Sequence, residues 1–197
     1  MIDPLVPIGD GHTQLSEEDR TGLIPTDIAT RAELFAAEQE NIADGILNLN
    51  PTSAALLDDL YLRQLHRRMF GLVWKWAGQY RARQTNIGIE PTQIPTTIVE
   101  LVRNTATWLE FSTFEPDHIA LRFHHRLVQI HSFVNGNGRH GRVAADLLVR
   151  ALRRPAFTWG RNLEVSTVEL RARYLAALRR ADVNADDIDE LAHFARS

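Results

Sequence analysis

The chain has 197 residues, with 22 Lys+Arg against 25 Asp+Glu and a net charge of -3, a length suited to one domain with a buried core. That balance argues against a general nucleic-acid binder, which carries a basic excess. The lack of cysteine excludes disulfides, thiolate catalysis and cysteine metal sites, and fits a reducing compartment.

No apolar stretch approaches the ~20 residues needed to cross a bilayer. Met1 to Asp10 show no basic segment followed by an apolar run. The expectation is a cytoplasmic chain with no direct nucleic-acid or membrane contact. Lys75 is the only lysine, so arginine at a basic position is not by itself a sign of bidentate binding.

Residues 1–29 carry Pro4, Pro7, Pro25, Gly9, Gly11 and Gly22 without a sustained period. They read as an extended N-terminal arm with one short turn from Ser16 to Arg20. Residues 30–197 read as a single domain. Thr30 with Glu33 has the capping-box spacing, and Leu34, Phe35, Ala37, Ile42, Ile46 and Leu49 predict a helix ending near Asn48 to Pro51. Thr52 or Ser53 caps the next helix, through Leu56, Leu57, Leu60, Leu65, Met69 and Phe70, with Trp74 and Trp76 extending its apolar surface to Gly78.

Tyr80, Ile87 and Ile89 then stand among Gly78, Gly88, Pro91 and Pro95, which predicts a short β-hairpin flap at about 83–95. Helices are predicted at about 97–111, 116–130, 139–152, 166–180 and 185–195. The fold class is therefore all-α, with about seven to eight helices and one small β excursion.

Between two of these helices runs His131-Ser132-Phe133-Val134-Asn135-Gly136-Asn137-Gly138-Arg139-His140-Gly141-Arg142. A histidine ends one helix, a glycine-rich turn follows that can aim several N–H groups one way, and two arginines three apart sit on the next helical turn. A base, an anion-binding turn, a helix N-terminus and two guanidinium groups suit phosphate chemistry. An ordinary helix–helix turn also has this composition; the flanking His131, Arg139 and Arg142 are what distinguish this one.

Other readings of the stretch are weaker. Gly136-x-Gly138-x-x-Gly141 spells a dinucleotide fingerprint, yet a helix precedes it and no acid lies between Asp146 and Glu164 to meet a ribose. No Gly-Lys-Ser or Gly-Lys-Thr provides a P-loop. His124, His125, His131 and His140 suggest a metal, but no acidic residue sits beside them, and satisfied core or surface histidines are the simpler reading.

The stretch resembles the signature of the Fic family, His-Pro-Phe-x-(Asp/Glu)-Gly-Asn-Gly-Arg-x-x-Arg. His131, Phe133, Gly136, Asn137, Gly138, Arg139 and Arg142 match; Ser132 and Asn135 depart. Leu65 to Phe70, Trp76 to Arg81 and Phe123 to Leu127 are also similar to Fic-core segments. In detail the chain is most similar to the short bacterial group called mobile mystery protein B, which accompanies a small helix-turn-helix partner.

The resemblance implies a Fic-type helical domain that transfers AMP from ATP, with Mg²⁺, to a Ser, Thr or Tyr hydroxyl of a target protein. It makes the chain a candidate toxin of a toxin–antitoxin pair, with a small antitoxin or helix-turn-helix partner. By the same resemblance His131 is the general base. Gly136, Asn137, Gly138, Arg139 and Arg142 hold phosphates, and Ile87, Gly88 and Ile89 form the target-docking flap. Asn135 stands where the family has its Mg²⁺-binding acid, and Glu40, in Glu40-Asn41, is the match to an inhibitory glutamate that pairs with the second motif arginine, Arg142. A Doc-type phosphotransferase and a catalytically weak binding module remain as alternatives. The first is disfavoured because that branch resembles Asn-Lys-Arg at Asn137-Gly138-Arg139.

Overall fold

Capping boxes open the first two helices. In α1 (Glu17–Arg20) the Ser16 hydroxyl accepts from the Asp19 amide while the Asp19 carboxylate accepts from the Ser16 N–H. In α2 (Arg31–Ile46) Thr30 and Glu33 do the same, so two otherwise unpaired amides are satisfied at each start. The computed structural model describes residues 13, 15–184 and 187–197. Most of the arm's first fourteen residues therefore lie outside the described residues, as do Ala185 and Asp186, where the sequence predicts the start of the last helix.

The single helix predicted from Ser53 onward is two: α3 (Ser53–Leu56) and α4 (Asp59–Phe70). Asp58 is a second N-cap, its carboxylate accepting from the Tyr61 amide at 2.9 Å, and this restarts the helix after Leu57. Trp74 and Trp76 lie beyond α4 in a turn-rich segment and stack on each other at 4.9 Å. A 3₁₀ turn (Pro91–Gln93) leads into α5 (Ile94–Glu110); α6 (Pro116–Ile130), α7 (Asn137–Ala151), α8 (Thr167–Val183) and α9 (Asp189–Arg196) complete the order. The fold is all-α, with nine α-helices among the described residues.

The β-hairpin does not form. Residues 83–90 are bends and loop, and among the described residues only two isolated bridges occur, Leu23 with Trp74 and Tyr80 with Phe133. The physical reason is Arg81. Its buried guanidinium donates to the carbonyls of Arg83 and Ile89, so the two ends of the flap close around one cation and not along a ladder.

One cluster of buried side chains runs from Leu15 to Ala195. At its centre α7 lies on α6, where Ala120, Ala144 and Ala145 allow close approach. A Cβ at Gly141 would come within 3.0 Å of His124 Nδ1 and 3.3 Å of Val128, so the first turn of α7 is pressed onto α6. That contact fixes the turn between the two helices. The arm joins the same body: Ile24 N–H donates to Val73 O at 2.9 Å and Lys75 N–H to Gly22 O at 2.8 Å.

Candidate active site

His131 is the C-cap of α6, in the left-handed region at φ 54° and ψ 58°. For a residue with a Cβ this costs about 1–2 kcal/mol and has to be held by its surroundings. Arg81 does the holding. Its Nε donates to His131 O at 2.7 Å, and its main-chain N–H donates to Ser132 O at 3.0 Å. A cation at the carbonyl end of α6 also opposes the helix dipole favourably. The flap presses in from the other side, since a Cβ at Gly88 (φ 106°) would lie 2.6 Å from His131 Cβ.

The imidazole is oriented as well as placed. Nδ1 faces Val128 O at 3.4 Å and Nε2 faces Thr13 Oγ1 at 2.6 Å. With the proton on Nδ1, donated to the Val128 carbonyl, Nε2 is left as an acceptor toward a hydroxyl. Burial pushes the His131 pKa down to about 4; the Val128 hydrogen bond opposes this and the Arg81 charge adds to it. The ring is therefore neutral near pH 7, as a general base must be.

From His131 the chain turns through Phe133, which stacks on His66 at 3.8 Å and meets His140 edge-on at 5.1 Å. The Asn137 side chain closes the turn by bonding both the N–H and the C=O of Phe133, at 2.9 and 2.8 Å. His66 accepts from Gly78 N–H through Nδ1, so its Nε2–H donates to Asn135 O at 3.0 Å. Gly136 (φ 79°, ψ 0°) is the N-cap of α7, and a Cβ there would strike the Phe70 ring at 2.6 Å. Only glycine fits that conformation in that space.

The first hydrogen bond of α7 is His140 N–H to Gly136 O at 2.9 Å. The amides of Asn137, Gly138 and Arg139 thus have no carbonyl within the helix to bond, which makes this end an anion site. Over Gly138 there is open space: a Cβ would find only the Tyr174 hydroxyl, at 3.9 Å. A cavity of about 870 Å³ lies here, within the usual range of ligand sites, and is lined by His131, Gly136 to Arg139, Arg142, Ile87 and Asn135 among others. Arg142 lies over the Tyr174 ring at 5.2 Å, and Arg171 and Arg179 add further positive charge to the walls.

The structure thus brings together His131, Ile87, Gly136, Asn137, Gly138, Arg139 and Arg142 around one space, with Gly88 and Ile89 behind Ile87 in the flap. It does not bring Glu40 there. Glu40 is exposed, whereas Glu38 is buried and its two carboxylate oxygens meet Trp74 Nε1 and Arg139 Nη1, each at 2.7 Å. The acid in the site is therefore Glu38 and its partner is Arg139, not Arg142. Helical spacing contained the signal: Leu34, Glu38 and Asn41 share the buried face of α2, and Glu40 falls on the opposite side.

Arg81 and Thr13 also reach the site. Neither carries a local sequence signal, because their partners lie 50 and 118 residues away.

The metal position is thin. Asn135 Oδ1 accepts from the neighbouring Gly136 N–H at 2.6 Å, and both Glu38 oxygens are engaged. Among the described residues no three His, Cys, Asp or Glu gather to hold an ion. One neutral amide oxygen does not make a protein-held Mg²⁺ site, which wants carboxylate charge. The other histidines of the sequence cluster meet separate partners: His124 Nε2 the Tyr174 hydroxyl, His125 Asp182 and His140 Leu62 O.

The Fic/DOC family model matches residues 56–149, a span covering α4 to α6, most of α7 and the whole stretch from His131 to Arg142. Over these residues the chain is similar to the Fic/DOC family. Curated relatives include the protein adenylyltransferase Fic of Drosophila erecta, 36% identical over 93 residues, which are 45% of this chain and 19% of that protein. The protein adenylyltransferase fic-1 of Caenorhabditis elegans is 29% identical over 131 residues, 64% of this chain and 24% of that protein. The matched region thus spans about a fifth to a quarter of these relatives' own length.

The Fic fold itself extends further than the family match. The BepC protein of Bartonella tribocorum, solved with bound AMPPNP, aligns with TM-score 0.67 and 15% identity over 92% of this chain and 97% of that one. An N-terminal Fic domain of a Bartonella quintana protein, solved with bound ADP, aligns with TM-score 0.65 and 17% identity over 87% and 86%.

Proposed function

We propose that this chain is a protein adenylyltransferase, moving AMP from ATP to a hydroxyl side chain of a target protein. The observation that carries the reading is a hydroxyl oxygen 2.6 Å from the acceptor nitrogen of His131, in the cavity that also receives the N-terminus of α7 and two motif arginines. In this reading His131 Nε2 takes the proton of the target hydroxyl, whose oxygen attacks the α-phosphorus while pyrophosphate leaves. A positioned base contributes ~10²–10⁴-fold to such a step. The amides of Asn137, Gly138 and Arg139 cradle the phosphates, and Arg139 and Arg142 offset charge developing on the leaving group. Support also comes from the curated relatives, which are named protein adenylyltransferases, and from the nucleotides in the similar structures.

Mg²⁺ enters this reading on the nucleotide's own phosphates, since the chain offers it only Asn135. Ile87, Gly88 and Ile89 present the flap to an extended target segment. Residues 30–197 act as one Fic-type domain. Membership of the mobile mystery protein B group, a bacterial cytoplasmic setting and a small helix-turn-helix antitoxin rest on the sequence resemblance, and a tagged-chain pull-down from its native host tests that partner. No helix of the described residues is long and apolar enough to cross a membrane.

The deciding experiment supplies α-labelled or γ-labelled ATP to the protein with cell lysate, beside His131→Ala. Label on lysate proteins from the α position, lost in His131→Ala, is the expected result. Label from γ alone would make the chain a phosphotransferase, and none from either would make it a binding module.

A further inference from the structure

The hydroxyl at His131 belongs to the chain itself. Thr13 is 6% exposed, and its Oγ1 lies 2.6 Å from His131 Nε2, shorter than a typical N–H···O contact and suited to a hydroxyl donating to a neutral ring nitrogen. It also lines the cavity that holds the α7 N-terminus, Arg139 and Arg142.

The arm around Thr13 is anchored at several independent points. Leu15 is buried in the common core cluster. Arg83, in the flap, donates to Ser16 Oγ at 2.5 Å and pairs with Asp19 Oδ1 at 2.6 Å. Trp76 Nε1 donates to Asp19 O at 3.0 Å, and Leu23 bridges to Trp74. The flap, which in the family resemblance receives a target, here holds a segment of its own chain beside the base. Threonine carries one of the three hydroxyls the proposed chemistry accepts.

We propose that Thr13 is an acceptor in cis, so that the chain adenylylates its own arm at Thr13 Oγ1. This rests on the adenylyltransferase reading above. In the step, His131 Nε2 takes the proton from Thr13 Oγ1. The oxygen then bonds to the α-phosphorus of ATP, and the bond from that phosphorus to the oxygen bridging to the β-phosphate breaks. Pyrophosphate leaves with the electron pair, Thr13 carries AMP as a phosphodiester, and the proton passes from Nε2 to solvent. Because the base and the acceptor hydroxyl share one chain, the step needs no encounter with a second protein once ATP is bound.

The test uses the full chain with α-labelled ATP and Mg²⁺, with and without lysate, read by peptide mass mapping. Expected results are AMP on the peptide containing Thr13, retained in Thr13→Ser and absent in Thr13→Val. The fraction labelled per minute should not change with protein concentration, and His131→Ala should slow it ~10²-fold or more. If lysate proteins take label while Thr13 takes none, or if labelling of Thr13 scales with protein concentration, the proposal is overturned and the adenylyltransferase reading stands. If neither chain nor lysate takes label from α, both fall together. A hydroxyl that merely satisfies the histidine would leave Thr13 unmodified in the presence of labelled lysate.

Discussion

Glu38 makes a stability contact and also holds an arginine of the candidate site. One oxygen holds the Trp74 indole and the other neutralises Arg139, the guanidinium a phosphate would need. Replacing Glu38 with Gln keeps an acceptor for Trp74 and removes the charge. ATP should then bind about tenfold tighter, in line with the ~1.5 kcal/mol of a charged hydrogen bond, and calorimetric titration reads this directly. Unfolding in urea should show a loss of roughly 1 kcal/mol, because a buried pair is broken. Unchanged affinity would mean that Arg139 does not meet the nucleotide. At Asn135 the sign is reversed, since a carboxylate would add charge where the chain now offers an amide. Asn135→Asp is expected to keep or raise transfer and to lower the Mg²⁺ concentration giving half-maximal rate; lost activity would show that the ion lies elsewhere.

Between elements the critical piece is Arg81, which ties the end of α6, the flap and the motif turn to one buried side chain. Arg81→Gln cannot bridge these carbonyls, so His131 should drift from its left-handed cap. The expected effect is a fall in kcat of ~10–10²-fold with little change in ATP binding, the size set by a displacement of about 1 Å. An equal loss in both would point to general unfolding, which circular dichroism would reveal. Local elements were legible in the sequence because their causes are local. The capping box at Thr30 and Glu33 and the apolar periodicity of α5 to α8 locate helices to within a few residues. The break at Asp58 has a local cause too, a carboxylate that caps α4. The base, the glycine turn and both arginines were legible because one short stretch contains them. Arg81 and Thr13 reach the site from distant parts of the chain and nothing near them in sequence encodes that convergence, whereas Glu38 is marked only by its place on the buried face of α2.

For the whole molecule, five buried imidazoles make acid a sensitive axis. Burial lowers the pKa of His124 to about 3, of His131 and His140 to about 4, of His66 well below the ordinary value, and of His125 below it as well. The unfolded chain then binds more protons than the native one, so stability rises with pH across this window. It is complete above the ordinary histidine value of ~6.5 and is lost as pH falls through the folded values. Urea midpoints should therefore decline steadily below pH ~6.5. The transfer rate should show no ionisation near pH ~6.5, where an unperturbed histidine base would halve it, and should fail only with the acid limb of unfolding. A rate that halves near neutrality would mean that water reaches His131 during turnover. One more property follows from the seat of the arm. Gly22 packs directly on the Trp76 ring, whose indole N–H is held by Asp19 O. Whatever lifts residues 15–24 away bares that indole to solvent and reddens its emission, giving the chain a built-in optical gauge of whether its own leading segment is seated.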